Sequence, residues 1–222
     1  MDVTTNNVAS AERLPLTLRV VSVCNRLLCR VLYRLKRVGP CTVPLSGPVI
    51  VAANHTCSAD PLMISAACPK RTVSFIIAEE YSDIRGARWF VRLIDCIPVR
   101  RESQDTAATR EAIRRLRAGR ALGIFIEGRI PKPGESEPPK DGVAMLALRT
   151  GAEVIPAHIS GTLYRATVAS GFLARHRARV RFGPPVDLAE FAEGPMRSRV
   201  YGATAKIFAA IQELGAAGAT PT

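Results

Sequence analysis

The sequence contains few aromatic residues and no long uncharged hydrophobic run. Phe, Trp and Tyr make up 5% of its 222 residues, which is little for the stacking platforms of single-stranded nucleic-acid binding. No uncharged apolar run approaches the roughly 18 residues that would indicate a transmembrane helix. Residues 1–12 are polar and lack a basic start followed by an apolar run, so we expect no secretory signal peptide.

The sequence also lacks the spacing patterns of metal and nucleotide sites. Its cysteines show no paired C-x-x-C spacing, which argues against a zinc site and against a disulfide framework, and predicts reduced cytosolic thiols. They are Cys24, Cys29, Cys41, Cys57, Cys68 and Cys96. Neither a metal-ligand cluster nor a glycine-rich nucleotide loop is visible, so we predict no metal and no bound cofactor.

Negative charge is scarce. The chain has 31 Lys and Arg against 19 Asp and Glu, a formal net charge of +12. Such an excess favours anionic partners, and nucleic acid and anionic membrane both qualify. The low aromatic content and the position of the arginines favour membrane and argue against nucleic acid.

The pattern of apolar segments predicts a single α/β domain with a mixed, mostly parallel sheet flanked by helices. Short apolar runs predict strands at residues 48–53, 73–78, 96–99, 121–126, 153–159 and 177–182. Amphipathic stretches predict helices from residue 60 and at 85–94, 105–116, 142–149 and 197–213, and prolines predict a loop over 131–141. We expect this domain to span residues 39–214, with a flexible tail over 215–222.

Residues 14–38 predict an amphipathic helix. Leucines and valines alternate with Arg19, Arg26, Arg30, Arg34 and Arg37, whose spacings of 7, 4, 4 and 3 define one helical face. Arginine at the centre of a bilayer costs at least about 2.5 kcal/mol, so a membrane-spanning helix is disfavoured. Residues 1–38 therefore form either a tail and a helix lying in the membrane surface, or a helix docked on the domain whose arginines face water.

A candidate active site follows the first predicted strand. His55 and Asp60 lie five positions apart on a strand-to-helix loop, where functional groups concentrate in α/β proteins. A carboxylate that accepts a hydrogen bond from one imidazole nitrogen leaves the other nitrogen to act as a base on a hydroxyl. The alternative is that Asp60 caps the helix that continues with Pro61, beside an unrelated histidine.

Four ordered blocks over residues 45–165 resemble the glycerolipid acyltransferase family, which includes the 1-acylglycerol-3-phosphate acyltransferases. His55-x4-Asp60 is similar to the first motif of the family. The other blocks are Ile97-Pro98-Val99-Arg100-Arg101, Phe125-Ile126-Glu127-Gly128-Arg129 and Val154-Ile155-Pro156-Ala157. The resemblance implies transfer of a fatty acyl group from acyl-CoA or acyl-carrier protein, as co-substrate, to the free hydroxyl of a lysophospholipid. The expected acceptor is 1-acylglycerol 3-phosphate, and the expected product is phosphatidic acid.

By the same resemblance, His55 and Asp60 are catalytic, and the acceptor is held by Arg100, Arg101, Glu127, Gly128 and Arg129. Arg101 matches the motif arginine, whereas Arg100 fills a variable position. The third block departs from the common Phe-Pro-Glu-Gly-Thr-Arg-Ser pattern, because Ile126 replaces the proline and Arg129 directly follows Gly128. This departure concerns the contacts to the acceptor headgroup and leaves the first motif unchanged.

Several alternatives remain open on the sequence. The acceptor could be another lysolipid or a lipid amine, and the protein could be a basic lipid-binding protein without turnover. Cys57 could act as a nucleophile if its thiol lay within hydrogen-bond reach of His55. The acyltransferase interpretation predicts a cytoplasmic protein, peripheral at the inner face of the cell membrane, with anionic phospholipid as a partner.

Overall fold

The computed structural model describes residues 16–78, 96–99, 106–132, 134–135, 137–162, 164 and 168–218. Within these ranges the helices are α1 (Leu16–Val31), α2 (Asp60–Ala67), α3 (Thr106–Arg117), α4 (Gly142–Thr150), α5 (Val168–Leu173) and α6 (Met196–Ala216). The strands are β1 (Lys36–Val38), β2 (Val49–Ala53), β3 (Val73–Ala78), β4 (Ile97–Val99), β5 (Ala121–Phe125), β6 (Glu153–Ser160) and β7 (Arg179–Phe182). A short 3-10 helix spans Ala189–Phe191.

The strands form one seven-stranded sheet in the order β1-β7-β6-β2-β5-β3-β4. All neighbouring pairs are parallel except β6 and β7, so the predicted mixed, mostly parallel sheet is confirmed. Ala53 of β2 is in register with Phe125 of β5 and Ala157 of β6. The carboxyl ends of these three central strands therefore share one edge of the sheet, which is where α/β proteins place their ligands.

Helices cover both faces of the sheet, and β2 contributes to a core on each face. All five of its residues are fully buried. Val49, Val51 and Ala53 point into the core shared with α2, whereas Ile50 and Ala52 point into the core shared with α3, α4 and α6. A strand buried on both faces reads as an uninterrupted apolar run, which is why the sequence predicts it so clearly.

The N-terminal helix is shorter than the sequence predicts. Helix α1 ends at Val31, Arg34 has a positive φ of 44°, and Lys36–Val38 form strand β1 beside β7. Arg34 and Arg37 are therefore not on the helix. The predicted boundary between an N-terminal segment, residues 1–38, and the domain that begins at residue 39 separates β1 from the sheet to which it belongs. The pairing of β1 with β7 joins distant parts of the chain, so no local pattern marks it.

Other differences lie at the ends of elements. The sequence predicts neither α5 nor the 3-10 helix, and α6 continues to Ala216, into the predicted tail. The predicted helix at 85–94 and residues 1–15 and 219–222 lie outside the described residues. Among the described helices, none combines the length and hydropathy needed to cross a bilayer.

Candidate active site

His55 and Asp60 are in direct contact at the carboxyl edge of the sheet. Nδ1 of His55 lies 2.9 Å from Oδ2 of Asp60, and the two side chains are 13% and 0% exposed. With Nδ1 engaged by the carboxylate, Nε2 is the nitrogen that can act on a substrate hydroxyl. The predicted pairing of the two residues is confirmed by this geometry.

Asp60 holds the loop that carries His55 rather than the helix that follows. Its Oδ2 accepts hydrogen bonds from the backbone amides of Thr56, at 2.6 Å, and Cys57, at 2.8 Å. The hydroxyl of Thr56 lies 3.2 Å from each carboxylate oxygen. Helix α2 begins at Asp60, Ala59 occupies the cap position and no side chain caps the helix, so the capping interpretation of Asp60 is wrong.

Glu127 and Asn54 fix the backbone on either side of the strand end. Oε2 of Glu127, in the turn after β5, accepts a hydrogen bond from the backbone N–H of His55 at 2.6 Å. The side-chain Nδ2 of Asn54 donates a hydrogen bond to the backbone carbonyl of Ile159 at 2.9 Å, and its Oδ1 accepts one from the backbone N–H of Ile159 at 2.8 Å. Through its side chain, Asn54 thus extends the β2–β6 pairing by one residue. The contacts of Asn54 with β6 and of Glu127, which follows β5, restrict the position of His55 from both sides.

An aromatic stack supports the imidazole. The rings of His55 and Phe125 lie 3.9 Å apart and within 9° of parallel, and Phe125 stacks in turn on Phe75 at 5.8 Å. Phe75 lies against Gly123 of β5, where a Cβ atom would come within 2.2 Å of its ring. The ring positions below His55 therefore depend on a glycine in a central strand.

The turn after β5 brings Gly128 and Arg129 close to this edge. Gly128 has a φ of +73°, a conformation that glycine adopts without strain, and its N–H donates to the carbonyl of Phe125 at 3.0 Å. Arg129 is exposed and pairs with Glu137, while its Nη2 lies 3.5 Å from Glu135. The hydrogen bond from Arg129 holds the pKa of Glu137 below its usual value.

Glu127 and Arg129, both predicted to hold the acceptor, are engaged by other groups of the protein. Glu127 accepts a hydrogen bond from the backbone N–H of His55, and the acids that hold Arg129 are Glu135 and Glu137. An incoming phosphate would have to exchange with these carboxylates to bind Arg129. Arg100 and Arg101 lie outside the described residues, so their assignment as acceptor ligands stays a prediction.

Cys57 is not placed to act as a nucleophile. It is 1% exposed, and its Sγ lies 3.8 Å from Nε2 of His176 and 3.3 Å from the backbone N of Ala59. Burial and the nearby Asp60 carboxylate raise the pKa of the Cys57 thiol to about 12. A buried, protonated thiol facing His176 has neither the charge nor the access that thioester exchange requires.

Sequence reasoning missed the role of Asn54 and the stacking of Phe125. Asn54 directly follows one predicted strand and Phe125 lies near the end of another, which was the available signal, but their contacts depend on the order of strands in the sheet. Across the residues that the structure describes, no group of three or more His, Cys, Asp or Glu side chains could hold a metal ion.

Comparison with known proteins reveals clear similarity. The chain matches the family model described as Acyltransferase over residues 34–160. It is 34% identical over 128 residues to a 1-acyl-sn-glycerol-3-phosphate acyltransferase of Borreliella burgdorferi, covering 54% of this chain and 48% of the relative. Enzymes of the same name from Bacillus subtilis and Streptococcus pneumoniae are 22% and 25% identical, over 78% and 64% of this chain.

The extent of these matches differs between relatives. The chain covers 83% of the Bacillus protein but only about half of the length of the Borreliella and Streptococcus proteins, at 48% and 51%. Among solved structures, the 1-acyl-sn-glycerophosphate acyltransferase PlsC of Thermotoga maritima is similar with a TM-score of 0.71 at 23% identity. The match covers 92% of this chain and 81% of that one, and it confirms the α/β fold.

The environment of Glu127 predicts a pH-dependent stability. Burial, opposed in part by the His55 amide, raises the pKa of Glu127 from 4.5 to about 7. Because the folded-state pKa lies above the unfolded value, the folded protein binds the Glu127 proton more tightly than the unfolded chain does. The contribution of this proton to the free energy of unfolding is fully present below pH 4.5 and is lost as the pH rises through 7. Relative to Glu127→Gln, the wild-type free energy of unfolding should therefore fall between these pH values.

Urea unfolding of both proteins at several pH values measures this difference. Glu153→Gln, which removes an exposed carboxylate at the start of β6, is the matched control for the loss of one acid. A difference between wild type and Glu127→Gln that stays constant with pH would contradict the account of a desolvated Glu127.

Proposed function

Because this chain belongs to the acyltransferase family, we propose that it transfers a fatty acyl group from a thioester donor to the free hydroxyl of 1-acylglycerol 3-phosphate, giving phosphatidic acid. The observation that carries this proposal is the 2.9 Å contact between His55 and a fully buried Asp60. The names of its relatives support this acceptor. The donor is acyl-CoA or acyl-carrier protein.

The chemistry follows from the His55–Asp60 pair. Nε2 of His55 removes the proton from the acceptor hydroxyl as its oxygen attacks the thioester carbonyl, while Asp60 stabilises the imidazolium that forms. The tetrahedral intermediate collapses with loss of the thiolate, which takes the proton back from His55. General base catalysis of this kind contributes about 10²- to 10⁴-fold to a rate.

Arginine side chains are suited to hold the acceptor phosphate. A guanidinium group binds phosphate through paired hydrogen bonds, which fixes the orientation of the attacking hydroxyl. We assign this role to Arg101 and Arg129, with Arg100 as a further candidate ligand and with Glu127 and Gly128 shaping the turn after β5. Another lysolipid or a lipid amine as acceptor is the alternative, since Arg129 is engaged by Glu137.

Helix α1 has the features of a helix lying in a membrane surface. Its residues at helical spacing, Leu16, Val20, Val23, Leu27 and Val31, point away from the domain and are between 53% and 76% exposed. The opposite face is attached to the domain, because Cys29 is fully buried and Nδ2 of Asn25 donates to the carbonyl of Leu62 at 3.0 Å. Docking on the domain and exposure of an apolar face are therefore both features of this helix.

The arginines of α1 flank its apolar face. Arg19, Arg26 and Arg30 are exposed and lie 7 and 4 residues apart, along one side of the helix. Basic residues near an anionic bilayer contribute about 1 kcal/mol each, and the leucines and valines would enter the acyl boundary. Since α1 packs on α2, which begins at Asp60, this surface would bring the site close to a lipid acceptor. We accordingly propose a peripheral protein at the inner face of the cell membrane.

His55→Ala should reduce acyl transfer by at least about 100-fold while leaving the protein folded, because the imidazole is the proposed base. The assay follows product by mass spectrometry, with the purified full chain, oleoyl-CoA or oleoyl-carrier protein, and 1-acylglycerol 3-phosphate. His158→Asn, which removes a half-buried imidazole from β6, is the matched control and should retain activity.

Three results would contradict this proposal. Substantial turnover by folded His55→Ala would remove the assigned base. Turnover by the wild type of 1-acylglycerophosphocholine but not of 1-acylglycerol 3-phosphate would favour the alternative acceptor, and binding of lipid without any transfer would favour a non-catalytic lipid-binding protein.

Charge reversal on α1 should weaken binding to anionic vesicles. Arg19→Glu, Arg26→Glu and Arg30→Glu together should reduce sedimentation with phosphatidylglycerol-containing vesicles and affect binding to neutral vesicles much less. Wild-type binding should decrease with salt but retain a salt-resistant part from the apolar face.

The matched control reverses three exposed arginines on α3 and α6: Arg110, Arg117 and Arg197. It changes the net charge equally but leaves the apolar face with its flanking arginines intact. Equal loss of binding in both triple variants would mean that net charge alone attracts the protein to the vesicle. Unchanged binding in both would mean that lipid is met by another surface.

A further inference from the structure

The hydroxyl group of Thr162 reaches the loop that carries His55. Thr162 follows β6 and is half-buried, and its Oγ1 lies 2.6 Å from Oγ1 of Thr56. The Thr56 hydroxyl in turn lies 3.2 Å from each carboxylate oxygen of Asp60. Two residues separated by 106 positions in the sequence thus meet at the active site, and a single hydroxyl group lies between Thr162 and the buried carboxylate.

The chemistry of the three groups sets the direction of these hydrogen bonds. An ionised carboxylate only accepts hydrogen bonds, and a threonine hydroxyl has a single proton to donate. Thr56 therefore donates its proton to Asp60, and its oxygen accepts the proton of Thr162. Hydrogen bonds that run in one direction polarise one another, so the contact from Thr162 makes the Thr56 hydroxyl a better donor to the carboxylate.

The Thr56 hydroxyl has a specific part in satisfying Asp60. The imidazole of His55 and the backbone amides of Thr56 and Cys57 all bond to Oδ2 of the carboxylate. Within the residues that the structure describes, the Thr56 hydroxyl is the one donor to Oδ1. Because Asp60 is fully buried, Oδ1 would have no hydrogen-bond partner without this donor. By fixing the orientation of the Thr56 hydroxyl, Thr162 therefore supports the carboxylate that holds His55.

Thr162 is itself held in place by the neighbouring chain. Gly161, between β6 and Thr162, has a φ of +74°, and a Cβ atom there would collide with the carbonyl oxygen of Arg177. The backbone N–H of Arg177 donates to the carbonyl of Gly161 at 3.1 Å. Ser160, the last residue of β6, is in register with Arg179 of β7. The antiparallel β6–β7 pair, with a glycine that permits close backbone approach, therefore sets the position of Thr162.

From this geometry we propose that Thr162 is a positioning residue for the acyl transfer proposed above. Its hydroxyl holds the Thr56 hydroxyl toward Asp60, and the carboxylate then keeps the proton of the neutral imidazole on Nδ1 of His55, which leaves Nε2 as the base. Thr162 thus acts through Thr56 and Asp60 rather than on the substrate. The inference rests on the proposed function, and it adds a residue that follows β6 to the groups that orient the imidazole.

Kinetic measurements on Thr162→Val, which keeps the shape of the side chain but lacks the hydroxyl, test the proposal. We expect kcat to fall by about 5-fold, the effect of losing one neutral hydrogen bond, while the KM values for acceptor and donor stay unchanged. Thr162→Ser, which restores the hydroxyl, should recover most of the rate. The matched control is Thr150→Val, which removes a hydroxyl that donates to the carbonyl of Leu146 at 2.7 Å at the end of α4, before β6 begins, and should leave kcat unchanged.

Two double variants distinguish positioning of the base from structural support of the loop. If Thr162 acts through Thr56, Thr162→Val should cause no further loss of rate in Thr56→Val. If it acts through the imidazole, it should likewise cause no further loss in the residual rate of His55→Ala. A loss in His55→Ala as large as the loss in the wild type would overturn the proposal, since Thr162 would then support the fold rather than the base.

The tautomer of His55 gives a readout that does not depend on turnover. At a pH where the imidazole is neutral, long-range proton–nitrogen NMR spectra of the full chain should show the proton on Nδ1 in the wild type. A larger fraction should carry it on Nε2 in Thr162→Val. Thr162→Ala, which also lacks the hydroxyl but is smaller, repeats both measurements in case valine is not accommodated.

The NMR result separates this inference from the proposed function. An unchanged tautomer in a folded Thr162→Val or Thr162→Ala protein would overturn the proposal even if the rate fell. The expected change of tautomer, in a chain whose wild type transfers no acyl group, would support Thr162 as the residue that orients His55 and would contradict the acyl-transfer assignment alone.

Discussion

The arrangement of the active site depends on one buried carboxylate. Asp60 is fully buried, and in that setting a charge costs several kcal/mol unless donors surround it. The donors are the imidazole of His55, the amides of Thr56 and Cys57, and the hydroxyl of Thr56. The same contacts that satisfy the carboxylate close the loop after β2 and set the orientation of the imidazole. The proposed function and the local folding therefore rest on the same set of hydrogen bonds.

The sheet places the remaining groups around this loop. Because β5 and β6 are parallel neighbours of β2, the turn after β5 delivers Glu127 to the amide of His55, and β6 receives the side chain of Asn54. The Phe125 ring, at the end of β5, supplies the flat surface against which the imidazole lies. Three neighbouring strands, β6, β2 and β5, thus restrict the position of the His55 side chain, which is the kind of restriction that a general base requires.

The central strands and the contact between His55 and Asp60 could be predicted because their signals are local. Strand β2 is buried on both faces and reads as an apolar run, and the five-residue spacing of His55 and Asp60 is a property of one loop. Long-range pairing carries no such signal: Lys36–Val38 continue the basic pattern of the preceding helix, and only β7 makes them a strand. Likewise, Glu127 resembles any loop glutamate until β5 is placed beside β2, and the pairing of Arg129 with Glu137 depends on the fold of a proline-rich loop.

A double-mutant cycle on His55 and Asp60 tests the central claim most directly. The residual rate of acyl transfer is measured for His55→Ala, Asp60→Asn and the double variant, at enzyme concentrations high enough to quantify product. If Asp60 acts only through the imidazole, the double variant should be no slower than His55→Ala, because residues that act as a unit are strongly non-additive. If the two losses multiply instead, Asp60 contributes independently of His55, and the pair is not the catalytic unit described above.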